Sequence, residues 1–139
     1  MKNNAVRWLR VSYWVGAVVD FAAGLMMLSP SLFDLMNQPA DFHPTNDFRY
    51  AMGMGAPLMF GWIVLLLWAD RKPLERKDVL PITLIVVVGE IITQVWGIKV
   101  GFVPLDALIP SFVMQAIILF LFTFSYFNAR KTDDHVAKV

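Results

Sequence analysis

The chain has 139 residues, 58 % of them hydrophobic and 17 % charged, with a net charge of +1 and no cysteine. Ordinary soluble domains are about 45–50 % apolar and about 25 % charged, so the composition departs from that class. The near-neutral balance argues against a nucleic-acid partner, and the lack of cysteine excludes disulfides, thiol redox chemistry and thiolate metal sites.

The apolar excess collects in four blocks. At 1.5 Å rise per residue, about 20 residues cross the roughly 30 Å hydrocarbon core of a bilayer, and each block reaches that length. The first spans about residues 8–28, interrupted only by Arg10 and Asp20. Its basic lead-in "MKNNAVRWLR" resembles a signal peptide, but Asp20 breaks the apolar run and no small-residue cleavage site follows, so it reads as a retained helix. An outer connection of about residues 29–49 comes next, in which "SLFDLMN" reads as a short amphipathic turn and "PTND" offers N-cap residues. The second span, about 51–69, carries no charge, and Pro57 within it predicts a kink or a freed carbonyl. A basic connection, "DRKPLERKD", leads to the third span, about 79–98, whose only charge is Glu90. The tight "KVGFVPLD" turns the chain into the fourth span, about 105–128, and the tail "KTDDHVAKV" reads as polar and loose. The expected fold is all-α: one domain, a four-helix integral membrane bundle.

Lysine and arginine set the expected orientation. Lys2, Arg7 and Arg10, then Arg71, Lys72, Arg76 and Lys77, then Arg130, Lys131 and Lys138 fall on one side, against Arg49 and Lys99 on the other. By the positive-inside rule both termini face the cytoplasm of a cell whose inner membrane holds the protein.

Counting along each span places three polar residues near one depth. Asp20 lies roughly 18 Å from the inner edge, Glu90 roughly 16 Å from it, and Gln115 roughly 15 Å from the outer edge. Ser12, Gly16, Asp20 and Gly24 share one face of the first span, and small residues there allow close helix approach. Thr83, Glu90, Thr93, Gln94 and Gly97 share a face of the third, and Ser111 stands one turn outward of Gln115. Gly53, Pro57 and Gly61 make a small-residue stripe on the second. A charge at mid-membrane costs about 2.5–3.5 kcal/mol on insertion scales, and two nearby carboxyls in low dielectric resist ionising together. Asp20 and Glu90 are therefore the candidate acid/base pair, sharing a proton or meeting a cation. Polar side chains can also simply glue helices together, at about 0.6–2 kcal/mol each. Candidate ligand-binding residues are Gln94, Gln115 and Thr93, with Tyr13 and Trp62 deep in their spans, Trp96 near a span end, and Arg49 heading the second span. No metal motif, phosphate loop or nucleophile elbow is present, His43 beside Asp41 and Asp47 reads as a solvated loop residue, and the residues name no cofactor.

On "WVGAVVDFAAGLMMLSPSLF", "RYAMGMGAPLMFGW" and the basic turn "RKPLERKDVLPITL", the chain resembles the small bacterial four-helix membrane proteins of the DoxX-like families. Some of those relatives are implied to accompany quinone-linked oxidoreductases, though spans without histidine or cysteine offer nothing for haem or thiol chemistry. A fainter likeness, through Glu90 and Trp96, is to sterol-isomerase bundles of the emopamil-binding class. Small multidrug transporters share the four helices and a membrane carboxylate, which Asp20 echoes. The expected function is binding of a small amphipathic ligand (lipid, quinone or isoprenoid) in a carboxylate-containing midplane pocket, with acid/base chemistry as its enzymatic version. The alternatives are a proton-coupled small-molecule transporter or channel, working as a homodimer, and a non-catalytic membrane partner subunit. Membrane lipids are expected partners in every version.

Overall fold

The computed structural model describes residues 2–136, with side chains described for residues 3–132. Five α-helices make up its secondary structure: α1 (Lys2–Leu28), α2 (Pro30–Asn37), α3 (Asn46–Asp70), α4 (Val79–Lys99) and α5 (Leu105–Val136), and no strand occurs among the described residues. Four of them, α1, α3, α4 and α5, are long and apolar enough to cross a membrane. The protein has the make-up of a multi-pass helical membrane protein.

Helix ends follow local chemistry. Pro30 has no N–H to continue α1, so Ser29 becomes the N-cap of α2, its hydroxyl accepting from Leu32 N at 3.4 Å. Thr45 caps α3 in the same way, accepting from Phe48 N at 3.3 Å, with Asp47 in the positive first turn. The α4–α5 hairpin closes through Gly101, whose φ of 72° lies in the left-handed region open to glycine, while Phe102 N–H donates to Gly97 O at 2.9 Å.

Three helices outrun their apolar blocks. α1 begins at Lys2 rather than near residue 8, because Ala5 and Leu9 already pack inside the bundle. α3 begins at its Thr45 cap, before residue 51. α5 continues through Val136, with Ala129 and Thr132 buried, so the segment expected to be loose is helical that far; residues 137–139, including Lys138, lie outside the described residues.

α1 is the central element: it lies along α3 and also packs on α5, α5 packs on α4, and α3 meets α4 only sparsely. Contacts at one end fix the antiparallel order. Ser12 donates to Ser125 Oγ at 2.8 Å, Arg10 pairs with Asp70 at 3.7 Å, and the Tyr13 hydroxyl reaches the carbonyls of Pro73 (3.3 Å) and Arg76 (3.1 Å). The start of α1, the end of α3, the start of α4 and the last third of α5 therefore meet at the end that carries both termini. Arg76 lies over the Trp68 ring, 3.5 Å from its centroid, and donates to the Trp68 carbonyl. The apolar core gathers toward the same end around Leu9, Tyr13, Leu66, Leu80 and Phe122.

The buried stripe of α5 steps by three and four residues: Leu108, Gln115, Ile118, Phe122, Ser125, Ala129 and Thr132 are buried, and Ser111 is half-buried. On α4 the matching stripe is Leu80, Thr83, Val87, Glu90, Gln94 and Gly97. Such spacing is that of knobs-into-holes packing at a shallow crossing angle. On α1 the stripe passes through Gly16, where a Cβ would lie 2.9 Å from both Leu66 Cδ1 and Phe122 Cζ. The Gly53–Pro57–Gly61 face of α3 turns away from the bundle, with Pro57 exposed and nothing within 4 Å of a Cβ at either glycine.

Gly16→Ala should therefore lower stability by about 1–3 kcal/mol through overpacking against two fully buried side chains, whereas Gly61→Ala should be neutral or slightly stabilising. Thermal unfolding of both variants in one detergent checks the contrast; equal behaviour would contradict this packing.

Candidate functional site

Along the α4–α5 seam, two adjacent rungs are polar on both helices. In the one farther from the termini, Gln94 Nε2 donates to Ser111 Oγ at 3.0 Å. In the one nearer the termini, the Gln115 side chain lies beside the Glu90 carboxyl, close enough to interact with it. Glu90 and Gln94 are one turn apart on α4, as are Ser111 and Gln115 on α5, so antiparallel packing brings both pairs level together. From α1, Asp20 comes near enough for its charge to interact with that of Glu90. Gly16 and Gly24, one turn to each side of Asp20, let α1 approach its neighbours closely; a Cβ at Gly24 would lie 3.1 Å from the Phe60 ring.

Asp20, Glu90 and Gln94 are half-buried, and Gln115 is buried, with 5 % of its surface exposed. The hydrogen-bond inventory of this layer does not close. Asp20 Oδ2, Gln94 Oε1 and Gln115 Oε1 are buried with no hydrogen-bond partner. A fourth such oxygen among the described residues, Asp70 Oδ1, sits elsewhere, beside Arg10. A buried polar atom left unpaired costs about 1–3 kcal/mol, and hydrocarbon surroundings offer no relief. Three in one layer mark it as the place where the protein is polar beyond what its own packing uses. The layer holds two carboxyls and two carboxamides, and the sequence places no Lys, Arg or His within it. It can accept hydrogen bonds, hold a proton and attract positive charge.

The remaining sequence candidates stand elsewhere. Tyr13 is fully buried about two turns toward the terminal end, where its hydroxyl clamps the α3–α4 connection. Trp62 donates from its indole nitrogen to Thr83 Oγ1 at 3.1 Å, tying α3 to α4. Thr93 is exposed and bonds the Gly89 carbonyl of its own helix at 3.0 Å, because the inner stripe of α4 runs through Glu90 and Gln94 and leaves residue 93 to one side. Trp96 falls outside the same stripe and is 62 % exposed. Arg49 is exposed at the start of α3. Asp20, Glu90, Gln94 and Gln115 are thus brought together, and Tyr13, Trp62, Thr93, Trp96 and Arg49 are not. Ser111 joins the site as the partner of Gln94. The Ser12–Ser125 pair is a further polar contact between helices; the only sign of it in the sequence was its three-and-four spacing along each helix.

No group of three or more His, Asp or Glu residues is placed to hold a metal ion among the described residues. The end of the bundle away from the termini is covered. Ala40 N–H donates to Phe102 O at 2.9 Å, tying the loop after α2 to the α4–α5 turn. Phe33, Phe42 and Phe48 pack ring on ring with centroids 5.1–5.2 Å apart, holding α2, the loop and the start of α3 together. Compared with known proteins, the chain matches no family model, no curated protein sequence and no solved structure.

A double-mutant cycle between Gln94→Leu and Ser111→Ala should give a coupling of about 0.6–2 kcal/mol, and the same cycle between Thr93→Ala and Ser111→Ala should give none. Unfolding titrations in mixed micelles measure both; coupling at Thr93 and not at Gln94 would mean a different α4 face meets α5.

Proposed function

We propose that this is a multi-pass protein of the bacterial cytoplasmic membrane, with both termini in the cytoplasm, that binds the head group of a small amphipathic molecule in the layer formed by Asp20, Glu90, Gln94 and Gln115. The observation that carries this reading is the set of three buried oxygens without a protein partner. Isolated polar groups used only as glue are expected to be satisfied by the contacts they glue. The surroundings favour a ligand from the bilayer: the outer end is covered by α2 and its loop, while α3 and α4 touch sparsely. A lipid, quinone or isoprenoid sliding in laterally would meet the polar layer with its head and leave its tail among apolar side chains. Turnover, if the protein is an enzyme, would use Asp20 and Glu90 as a general acid and base acting on that head group. The interaction between those two carboxyls also suits a second reading, proton-coupled transport, in which they exchange a proton for substrate. Kinship to the DoxX-like families fits the helix pattern and belongs to the same proposal.

The orientation rests on the distribution of lysine and arginine. Because the chain has no cysteine, single cysteines report cleanly: an impermeant maleimide should label His43→Cys in intact cells and Glu75→Cys only after lysis. The reverse pattern would invert the topology.

Mass spectrometry of molecules that co-purify after gentle extraction tests the binding reading. A defined amphiphile present with the parent protein and lost from folded Glu90→Gln is the expected outcome. Nothing bound to either protein, together with proton-linked flux in liposomes, would favour the transporter instead.

A further inference from the structure

The polarity of the unpaired atoms in the layer narrows the ligand. Every buried side-chain atom left without a partner there is an oxygen: Asp20 Oδ2, Gln94 Oε1 and Gln115 Oε1. No side-chain nitrogen of the layer stands among the buried atoms without a partner, and the Gln94 amide nitrogen donates to Ser111. Gln115 is both the most deeply buried member and one of the unpaired ones. A group that brings donors complements these oxygens best.

Three head-group chemistries can be compared on that count. A quinone offers two carbonyl oxygens and no donor, which would add acceptors to a layer already in excess. A hydroxyl offers one donor for three oxygens. A primary ammonium offers three N–H donors and no acceptor, as a lysine side chain does. It also brings positive charge to a site with two carboxyls and no protein cation, and charge-assisted hydrogen bonds are about twice as strong as neutral ones.

We propose that the layer between α1, α4 and α5 selects amphiphiles that carry a protonated primary amine, with the ammonium hydrogen-bonded among Asp20, Gln94 and Gln115 beside Glu90. This rests on the reading that the layer binds an amphiphile, and it names the class. The specificity comes from hydrogen-bond polarity as well as from charge, so a quaternary ammonium, which has the charge without the N–H groups, is discriminated against.

Native mass spectrometry of the full-length protein in a neutral detergent, with decylamine, 1-decanol, decyltrimethylammonium and decylubiquinone as probes, separates these cases. The expected result is retention of decylamine at least tenfold tighter than the other three. That preference should disappear in Asp20→Asn and in Gln94→Leu, the latter keeping the Glu90–Gln115 rung intact, with helicity checked by circular dichroism. Equal retention of decyltrimethylammonium would overturn the hydrogen-bond basis of selection. Tighter binding of the alcohol or the quinone would overturn the amine class while leaving amphiphile binding standing. Retention of none of the four would sink the binding reading itself. An amine preference that survives both substitutions would place the site elsewhere and overturn the proposal.

Discussion

Inside a bilayer, a helix gains nothing from hiding apolar surface, because lipid tails are as apolar as leucine. Association must come from close packing and from polar groups that meet across helices. In this protein both requirements fall on the same stripes. The three-and-four spacing along α4 and α5 sets an antiparallel register, and that register puts Glu90 level with Gln115 and Gln94 level with Ser111. A slip of one turn in either helix would leave a single polar pair level and set the other two side chains against apolar residues. The polar layer therefore depends on the seam, and the seam depends on what flanks it: Val87 and Ile118 on one side, Gly97 and Leu108 on the other, all buried.

α1 completes the layer, and its glycines decide how. Gly16 sits against Leu66 and Phe122, and Gly24 against Phe60, so the helix is drawn in on both sides of Asp20. The terminal half of the bundle is further tied by Tyr13, the Ser12–Ser125 pair and the Arg10–Asp70 ion pair. The opposite half is held differently, by three phenylalanines and one backbone hydrogen bond over the loop. Tight packing at one end and a chain connection tied over the other leave α3 and α4 in sparse contact between them, which would suit the proposed lateral approach from lipid.

The spans were legible because length and apolarity are properties of single helices: α4, read as about 79–98, is Val79–Lys99. The polar ends of α1 and α5 were not, since there the helix is sustained by Ala5, Leu9, Ala129 and Thr132 packing on partners that composition does not reveal. The level shared by Asp20, Glu90 and Gln115 was legible by counting from span edges. Which side of a helix faces inward was harder, because apolar residues surround every span and hydropathy carries little periodicity. Thr93 and Trp96 lie within a turn or two of Glu90 in sequence, yet point away from the layer once the inner stripe is known. Tyr13 was legible as deep but not as a clamp, since its partners are main-chain carbonyls in a connection distant in sequence. The small-residue stripe on α3 resembled a packing face and turned out to look outward.

The central claim is that Asp20, Gln94 and Gln115 present oxygens whose partners come from outside the protein. Structure determination of the full chain in a lipid nanodisc, at a resolution that shows bound small molecules, tests it most directly. The expected result is non-protein density within hydrogen-bond distance of those three oxygens and beside Glu90. Side chains rearranged so that each oxygen meets a protein donor, with the helices closed on one another, would contradict it and leave the layer as helix glue.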